Sequence, residues 1–159
     1  MAVSIFIKFP NGITGETQQA RHVGEVAADS LSWGVARNVS LTAHSRETSL
    51  PTVSEVTFTK KVDSASHDLV KACLFATALD EITISFVKDA GDESMDYLVY
   101  TLKKGLISGY GFSGATGADT PFETYSISFT EIKGIYHKQA DDHSGASDHE
   151  LESDLLERV

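Results

Sequence analysis

The chain has 159 residues, 41% hydrophobic and 23% charged, which is the size and composition of one globular domain. Its formal net charge of −10 argues against a nucleic-acid-binding protein, which needs clustered cations. One cysteine excludes an internal disulfide framework, and we expect neither a membrane span of about 20 apolar residues nor a signal peptide.

The first part of the chain predicts strands. Apolar residues at odd positions alternate with their neighbours over 3–9, the period of two that is typical of a strand. Similar patterns predict strands at 22–28 and 31–37. Residues 38–52 have no clear period and predict a loop of about fifteen residues. Composition alone favours a passive, solvated loop over an arm that reaches a partner.

A strand at 53–60 precedes the one predicted helix, at about residues 64–77. Ser64 is the expected N-cap, and Asp68 lies in the first turn, where the helix dipole favours a negative charge. An apolar stripe at helical spacing predicts packing against a sheet; it consists of Leu69, Val70, Cys73 and Leu74. Its position makes Cys73 a buried structural thiol rather than a nucleophile.

Alternating segments predict strands at 82–87, 95–103, 106–112 and 125–136, with a hairpin turn at 89–92. A parallel sheet needs a helix at nearly every crossover, and only one helix is predicted. The sequence therefore indicates a mainly β protein, a small antiparallel β-barrel or sandwich with one flanking helix.

Motifs of known catalytic sites are not supported. Gly109–Gly114 fits G-x-G-x-x-G, but the segment that follows it cannot form the helix that a dinucleotide site requires. The histidines lack zinc-site spacing. We therefore expect no catalytic residue, no cofactor and no metal site, and hence no enzyme.

The last twenty residues, 140–159, hold seven acidic residues and one basic residue. We expect two parts in the chain: a β-barrel domain at 1–138 and an acidic C-terminal segment at 139–159. The acidic segment is predicted to be disordered or to form a short helix, because Leu151, Leu155 and Leu156 have helical spacing.

An ordered set of short motifs resembles the haemolysin-coregulated protein (Hcp) family, the tube protein of the type VI secretion system. The resemblance covers roughly residues 3–138. Its pieces include Ile5–Phe9, Gly12-Ile13-x-Gly15-Glu16, His22, Leu31–Gly34, Ser45-Arg46-Glu47, Pro51-x-x-Ser54-Glu55, Phe58-Thr59-Lys60, Asp63-x-Ala65-Ser66-x-x-Leu69, Tyr97-x-x-Tyr100-x-Leu102, Ile107–Gly109, Pro121-x-Glu123 and Phe129…Ile132…Tyr136.

The resemblance implies a barrel that assembles into a homo-hexameric ring. Such rings stack head to tail into the inner tube, contact sheath proteins and a spike protein, and carry effector proteins in the lumen. It also implies a protein of the bacterial cytoplasm that is later secreted by the type VI system without a signal peptide. The loop at 38–52 falls where the family has an extended loop that reaches a neighbouring ring, which reverses the passive interpretation.

Six residues are the candidate ring and stacking contacts. Arg46, Glu47, Ser49 and Leu50 lie in the extended loop. Tyr110 and Phe112 lie in the glycine-rich segment 105–117, which suits either a subunit contact or an ordinary internal strand. The alternative functions are a β-barrel that binds a small ligand, without a role in secretion, and, less favoured, a secreted hydrolase.

Overall fold

The computed structural model describes residues 3–90, 93–139 and 146–156. In these ranges two antiparallel sheets share one long strand, β10, and one helix, α1, packs against them. The first sheet has the strand order β2-β1-β9-β10-β12-β13, and the second has the order β10-β11-β8-β3. The elements are β1 (Val3–Lys8), β2 (Val26–Ala28), β3 (Ser30–Ser32), β4 (Val35–Ala36), β5 (Val39–Leu41), β6 (Arg46–Thr48), β7 (Thr52–Val53), β8 (Val56–Lys61), α1 (Ser66–Leu74), β9 (Leu79–Ala90), β10 (Glu93–Ser113), β11 (Phe122–Ser128), β12 (Glu131–Gln139) and β13 (Ala146–Asp154).

Strand β10 passes from one sheet to the other near its middle. Its first part pairs with β9 and β12, and Leu106–Ser113 pairs with β11. Lys104 adopts a positive φ of 53° at the transition. A Cβ on Gly105 would lie 2.7 Å from Ile82 Cδ1, so only glycine fits there without a shift. The strands predicted at 95–103 and 106–112 are therefore two halves of one bent strand.

The core lies between the two sheets and confirms the predicted mainly β fold. Phe58 and Tyr125 stack at a ring-centroid distance of 5.1 Å and are both fully buried. Ile7, Ile84 and Leu102 fill the space from the side of the first sheet. The inward face predicted for the first strand is correct for Ile7 and Phe9, whereas Val3 is exposed.

The helix is shorter than predicted, and two of its expected details are wrong. Ser64 is not the N-cap, because Ala65 holds that position and Ser64 Oγ donates to the Thr14 carbonyl. The buried side of α1 is formed by Ser66, Leu69 and Ala72. Leu74 is exposed because two positions beyond Ala72 place it on nearly the opposite side of the helix, and Cys73 is only partly buried. Within the described ranges, no helix is long and apolar enough to span a membrane.

The predicted loop at 38–52 is wrong in part, because short strands β5 and β6 form a ribbon within it. The acidic segment differs as well: residues 146–154 form neither a helix nor a disordered tail but the strand β13, which pairs with β12 along its length. Acidic residues at 148, 150, 152 and 154 alternate with other residues, a period of two that the leucine spacing obscured. Of the turn predicted at 89–92, residues 89 and 90 belong to β9. Residues 91–92, 140–145 and 157–159 lie outside the described residues.

Candidate assembly surface

A narrow antiparallel ribbon, which we call the arm (residues 33–54), extends from the sheets. At its base β4 pairs with β7, and towards its tip β5 pairs with β6. Gly34 and Ser54 join its two ends, since Ser54 N donates to the Gly34 carbonyl at 2.8 Å and Gly34 N donates to Ser54 Oγ at 2.7 Å. The arm therefore begins and ends at one point of the barrel.

Backbone and short polar side chains hold the two strands of the arm together. Thr42 N donates to the Ser45 carbonyl at 2.9 Å and closes the turn at the tip. In the middle, Ser49 N donates to the Asn38 carbonyl at 3.0 Å, and Asn38 N donates to Ser49 Oγ at 3.1 Å. Ser49, a predicted contact residue, thus has a structural partner within the arm.

The arm presents apolar side chains to solvent. Leu41 is 77% exposed and Leu50 is 62% exposed, and Val39 shares the face of Leu41 on β5. A two-stranded ribbon is marginally stable alone in water, and adjacent exposed apolar groups mark contact surfaces. These exposed apolar side chains make the arm a candidate contact surface.

The pairing of β5 with β6 separates the predicted residues Arg46 and Glu47. Arg46 lies directly opposite Leu41, so it shares the apolar face of the arm. Glu47 lies opposite Ser40 on the other face. The sequence pattern does not indicate Val39 and Leu41 as contact residues, because three exposed residues give no burial pattern.

The remaining predicted residues, Tyr110 and Phe112, lie on the second half of β10 rather than on the arm. They pair with Tyr125 and Glu123 of β11, respectively. Phe112 is 62% exposed. Tyr110 is partly exposed, but its hydroxyl donates to Glu123 Oε2 at 2.7 Å. Phe112 is therefore the residue of the two whose side chain is free to contact another subunit. Tyr110 instead links the surface around Phe112 to the buried Glu123.

A buried polar network centred on Lys60 joins β8, α1 and β11. Lys60 Nζ has four acceptors for three protons: Asp63 Oδ1, Ser66 Oγ and Glu123 Oε1 at 2.9 Å each, and the Lys61 carbonyl at 3.2 Å. Lys60 is 0% exposed and Glu123 1% exposed. Ser66 Oγ in turn donates to Glu123 Oε1 at 2.5 Å. The buried ammonium is thus fully hydrogen-bonded and paired with two carboxylates.

The second oxygen of Glu123 carries the network to the surface. Glu123 Oε2 accepts hydrogen bonds from Tyr110 Oη at 2.7 Å and from Tyr125 Oη at 3.0 Å. The two tyrosine rings lie 5.1 Å apart. This arrangement fixes the second half of β10, and with it Phe112, relative to the barrel.

The network shifts the pKa of three of its members. Burial tends to raise the pKa of Glu123, but hydrogen bonds from Ser66, Lys60 and Tyr110, with the charge of Lys60, outweigh burial and lower it. Burial, followed by the hydrogen bond to Glu123 and its charge, raises the pKa of Tyr110 to about 12. Burial and the charge of Glu123 also raise the pKa of Tyr125. The stable state therefore has an ionised glutamate between two neutral tyrosines.

An apolar recess of about 180 Å³ lies beside the base of the arm. It is lined by Trp33, Val35, Pro51 and Val53 of the arm, and by Ile132 and Leu151. Strand β13 contributes Leu151, so the C-terminal segment completes this surface.

The sequence profile of a family described as type VI secretion system effector, Hcp, matches residues 6–136. Protein hcp1 of Pseudomonas aeruginosa is 28% identical over 151 residues, which cover 93% of this chain and 90% of that protein. These two matches agree with the family that the ordered motifs indicate.

Solved structures share the fold. A structure described as a type six secretion system protein has a TM-score of 0.86 at 23% identity, and Hcp1 from Salmonella typhimurium has a TM-score of 0.77 at 26% identity. Each match covers 98% of this chain and 97% of the other chain. The structural likeness therefore continues beyond residue 136 into the C-terminal segment.

Proposed function

This chain belongs to the Hcp family of type VI secretion system effectors, and from that membership we propose that it is the subunit of a homo-hexameric ring that stacks head to tail into the secreted inner tube. In this proposal the subunit resides in the bacterial cytoplasm before firing. It meets sheath proteins and a spike protein during assembly, and effector proteins occupy the lumen. Its role is structural rather than catalytic.

The arm is the observation that carries the stacking part of the proposal. It displays Leu41 near its tip and Leu50 nearer its base on a narrow ribbon, which needs a partner surface. A tube requires a heterologous contact that closes a ring by rotation and a second contact that repeats along the axis. A projecting arm suits the second contact because it reaches beyond the barrel of its own subunit.

We assign the ring-closing contact to the surface around Phe112. Its aromatic side chain is exposed, and the network behind Tyr110 holds its strand rigidly, which lowers the entropic cost of association. Family membership favours this structural role over the ligand-binding alternative. The interior of the barrel also supports it, because core side chains such as Phe58, Ile84 and Tyr125 fill the space between the sheets.

The family match at 6–136 supports a proposed boundary of sequence similarity near residue 138, between the barrel at 1–138 and the segment at 139–159. We propose that the segment nevertheless belongs to the folded subunit, since β13 extends the first sheet.

Light scattering and electron microscopy of the purified chain test the ring. We expect a particle of about six times the 17.2 kDa subunit mass and ring-shaped images in negative stain. A monomer at every concentration would contradict the proposal. Phe112→Ser is expected to shift the ring towards monomers by at least about tenfold in concentration.

Arm variants separate stacking from ring formation. We expect the double variant Arg46→Ala with Glu47→Ala, and separately Leu41→Ser, to form rings of unchanged mass but fewer or shorter tubes. The matched control is Lys71→Ala with Glu81→Ala, which makes the same charge changes at exposed residues outside the arm. Tubes of wild-type length from both arm variants would refute the assignment of the arm.

A further inference from the structure

The segment that connects β1 to β2, which we call the N-terminal loop (residues 9–25), folds back over the first sheet. Gly15 N donates to the Gly24 carbonyl at 2.8 Å, and Gly24 N donates to the Thr17 carbonyl at 3.0 Å. At its tip, His22 stacks on Phe6 of β1 at a ring-centroid distance of 4.9 Å. Phe6 lies on the face of β1 opposite the core residue Ile7, yet it is only 6% exposed. The loop is therefore a cover over the outer face of the sheet.

Two side chains at the tip fasten this cover to the start of β10. Arg21 Nη1 donates to the Ser94 carbonyl at 3.2 Å. His22 Nε2 contacts Asp96 Oδ1 at 2.9 Å, across 74 positions of sequence. The other ring nitrogen, Nδ1, is hydrogen-bonded to Glu25 Oε2 within the loop. His22 is 4% exposed, so the ring bridges two carboxylates away from solvent.

When Glu25 and Asp96 are both ionised, both nitrogens of His22 must carry protons to satisfy this geometry. A neutral imidazole has one N–H donor and one bare nitrogen that only accepts, whereas the imidazolium has two donors. An ionised carboxylate only accepts hydrogen bonds. With a neutral ring, one of the two carboxylates would face a bare nitrogen, and two groups of lone pairs would repel at hydrogen-bond distance.

We propose that His22 is a pH-sensitive clamp on the N-terminal loop, closed by the imidazolium between Glu25 and Asp96 and released when the ring loses its proton. The proton leaves to solvent as the pH rises, and one of the two hydrogen bonds is lost with it. Release weakens the attachment of the loop to β10, where the hydrogen bond from Arg21 to the Ser94 carbonyl remains, and loosens the cover over Phe6. All contacts of this clamp lie within one subunit, so it operates with or without the ring or tube.

The other charged side chains near the His22 ring have partners other than Glu25 and Asp96. Arg21 points to the Ser94 carbonyl. On β9, Val87 pairs with Asp96, and the neighbouring Lys88 places its ammonium over the Tyr97 ring at 4.4 Å. On β1 the ring of His22 meets the uncharged side chain of Phe6. His22 is thus the cation that contacts both carboxylates among the groups described.

Hydrogen–deuterium exchange of the full chain measures the clamp. After correction for intrinsic exchange, we expect the protection of amides in residues 14–25 to fall about tenfold or more as the pH rises from about 5.5 to 8.5. Amides of β9 are expected to keep their protection and serve as an internal reference. Constant protection of the loop over this range would overturn the proposal.

Three variants identify the titrating group. His22→Gln cannot titrate, so its loop should show the same weakened protection at both pH values. Asp96→Asn can donate its amide N–H to a neutral ring, so its loop should stay protected at both. His67→Gln, a change at an exposed histidine of α1, should keep the wild-type response. A wild-type pH response in His22→Gln, or in Asp96→Asn should His22→Gln fail to fold, would overturn the assignment to His22.

Discussion

Replacing Glu123 by glutamine keeps the size of the side chain and removes its charge from the buried network. The glutamine oxygen can still accept from Lys60 and Ser66. Its NH₂ group, however, now faces the hydroxyls of Tyr110 and Tyr125, both of which donate to Glu123 Oε2 in the wild type. Lys60 keeps Asp63 as its only carboxylate partner in the network.

The expected cost follows from these contacts. Breaking a buried ion pair by removing one partner typically costs about 3–5 kcal/mol. Because Asp63 still neutralises Lys60, we expect Glu123→Gln to lower the free energy of unfolding by about 3 kcal/mol, at the lower end of that range. The matched control is Glu55→Gln. Its carboxylate accepts from Ser108 Oγ at 2.6 Å in an exposed position, so we expect a change within about 0.5 kcal/mol.

Urea unfolding followed by the fluorescence of Trp33 measures both values, at a protein concentration where sedimentation shows the same assembly state for each variant. A thermodynamic cycle with Lys60→Met gives the coupling. We expect Lys60→Met to lower the free energy of unfolding by at least about 1 kcal/mol less in the Glu123→Gln background than in the wild type. A destabilisation by Glu123→Gln below about 1 kcal/mol would refute the interpretation of the network as the main polar support of the barrel.

The pH dependence gives an independent check on the same residue. The pKa of Glu123 is lower in the folded chain than in the unfolded chain. Its contribution to stability is therefore present above the ordinary glutamate pKa of about 4.3 and is lost as the pH falls through the lowered value. The stability difference between wild type and Glu123→Gln should accordingly shrink below about pH 4.

Three further predictions concern single features of the fold. Gly134→Ala should destabilise the chain by about 1–3 kcal/mol in the same urea assay, because its Cβ would lie 2.8 Å from Tyr100 Cε1, whereas Gly34→Ala meets no atom closer than 3.9 Å and should not share this steric cost. In an alkaline absorbance titration, Tyr110→Phe should remove a component centred on a pKa of about 12; loss of a component near 10 would contradict the hydrogen-bonded environment. Truncation after residue 139 should lower the melting temperature by about 5 °C or more, because it removes β13 and uncovers the edge of β12; an unchanged melting temperature would show that β13 does not support the barrel.

Alternating apolar residues predicted the strands that have one face packed on the core. The inward positions Ile7 and Ile84 follow a simple period of two, and so does most of β11. The arm could not be found this way, since β5 and β6 have three residues each and are exposed on both faces. Strand β13 was missed for another reason: acidic residues on one face gave it the composition of a solvated tail.

The resemblance gave the position of the arm, and with it the candidates Arg46, Glu47, Ser49 and Leu50. The structure added Val39 and Leu41 and showed which residues share a face. The difference arises because both strand register and contacts between residues far apart in sequence are invisible to a local pattern. Arg46 and Leu41 share a face because of the register between β5 and β6, and register is set by turn geometry and partner strands rather than by composition. The contact between His22 and Asp96 spans 74 residues, beyond the range of any local pattern.

Three of the motif pieces that indicated the family contribute to one buried network in the folded chain. Lys60, Asp63, Ser66 and Glu123 come from three separate pieces of the ordered motif set, and they meet in one buried network. A buried ammonium requires several acceptors at fixed positions. The burial of Lys60 therefore requires the other three residues at these places. Because the network joins β8, α1 and β11 and supports β10 through Tyr110, its effect is to hold the second sheet rigid behind Phe112. These three motif pieces are thus explained by the construction of a rigid subunit.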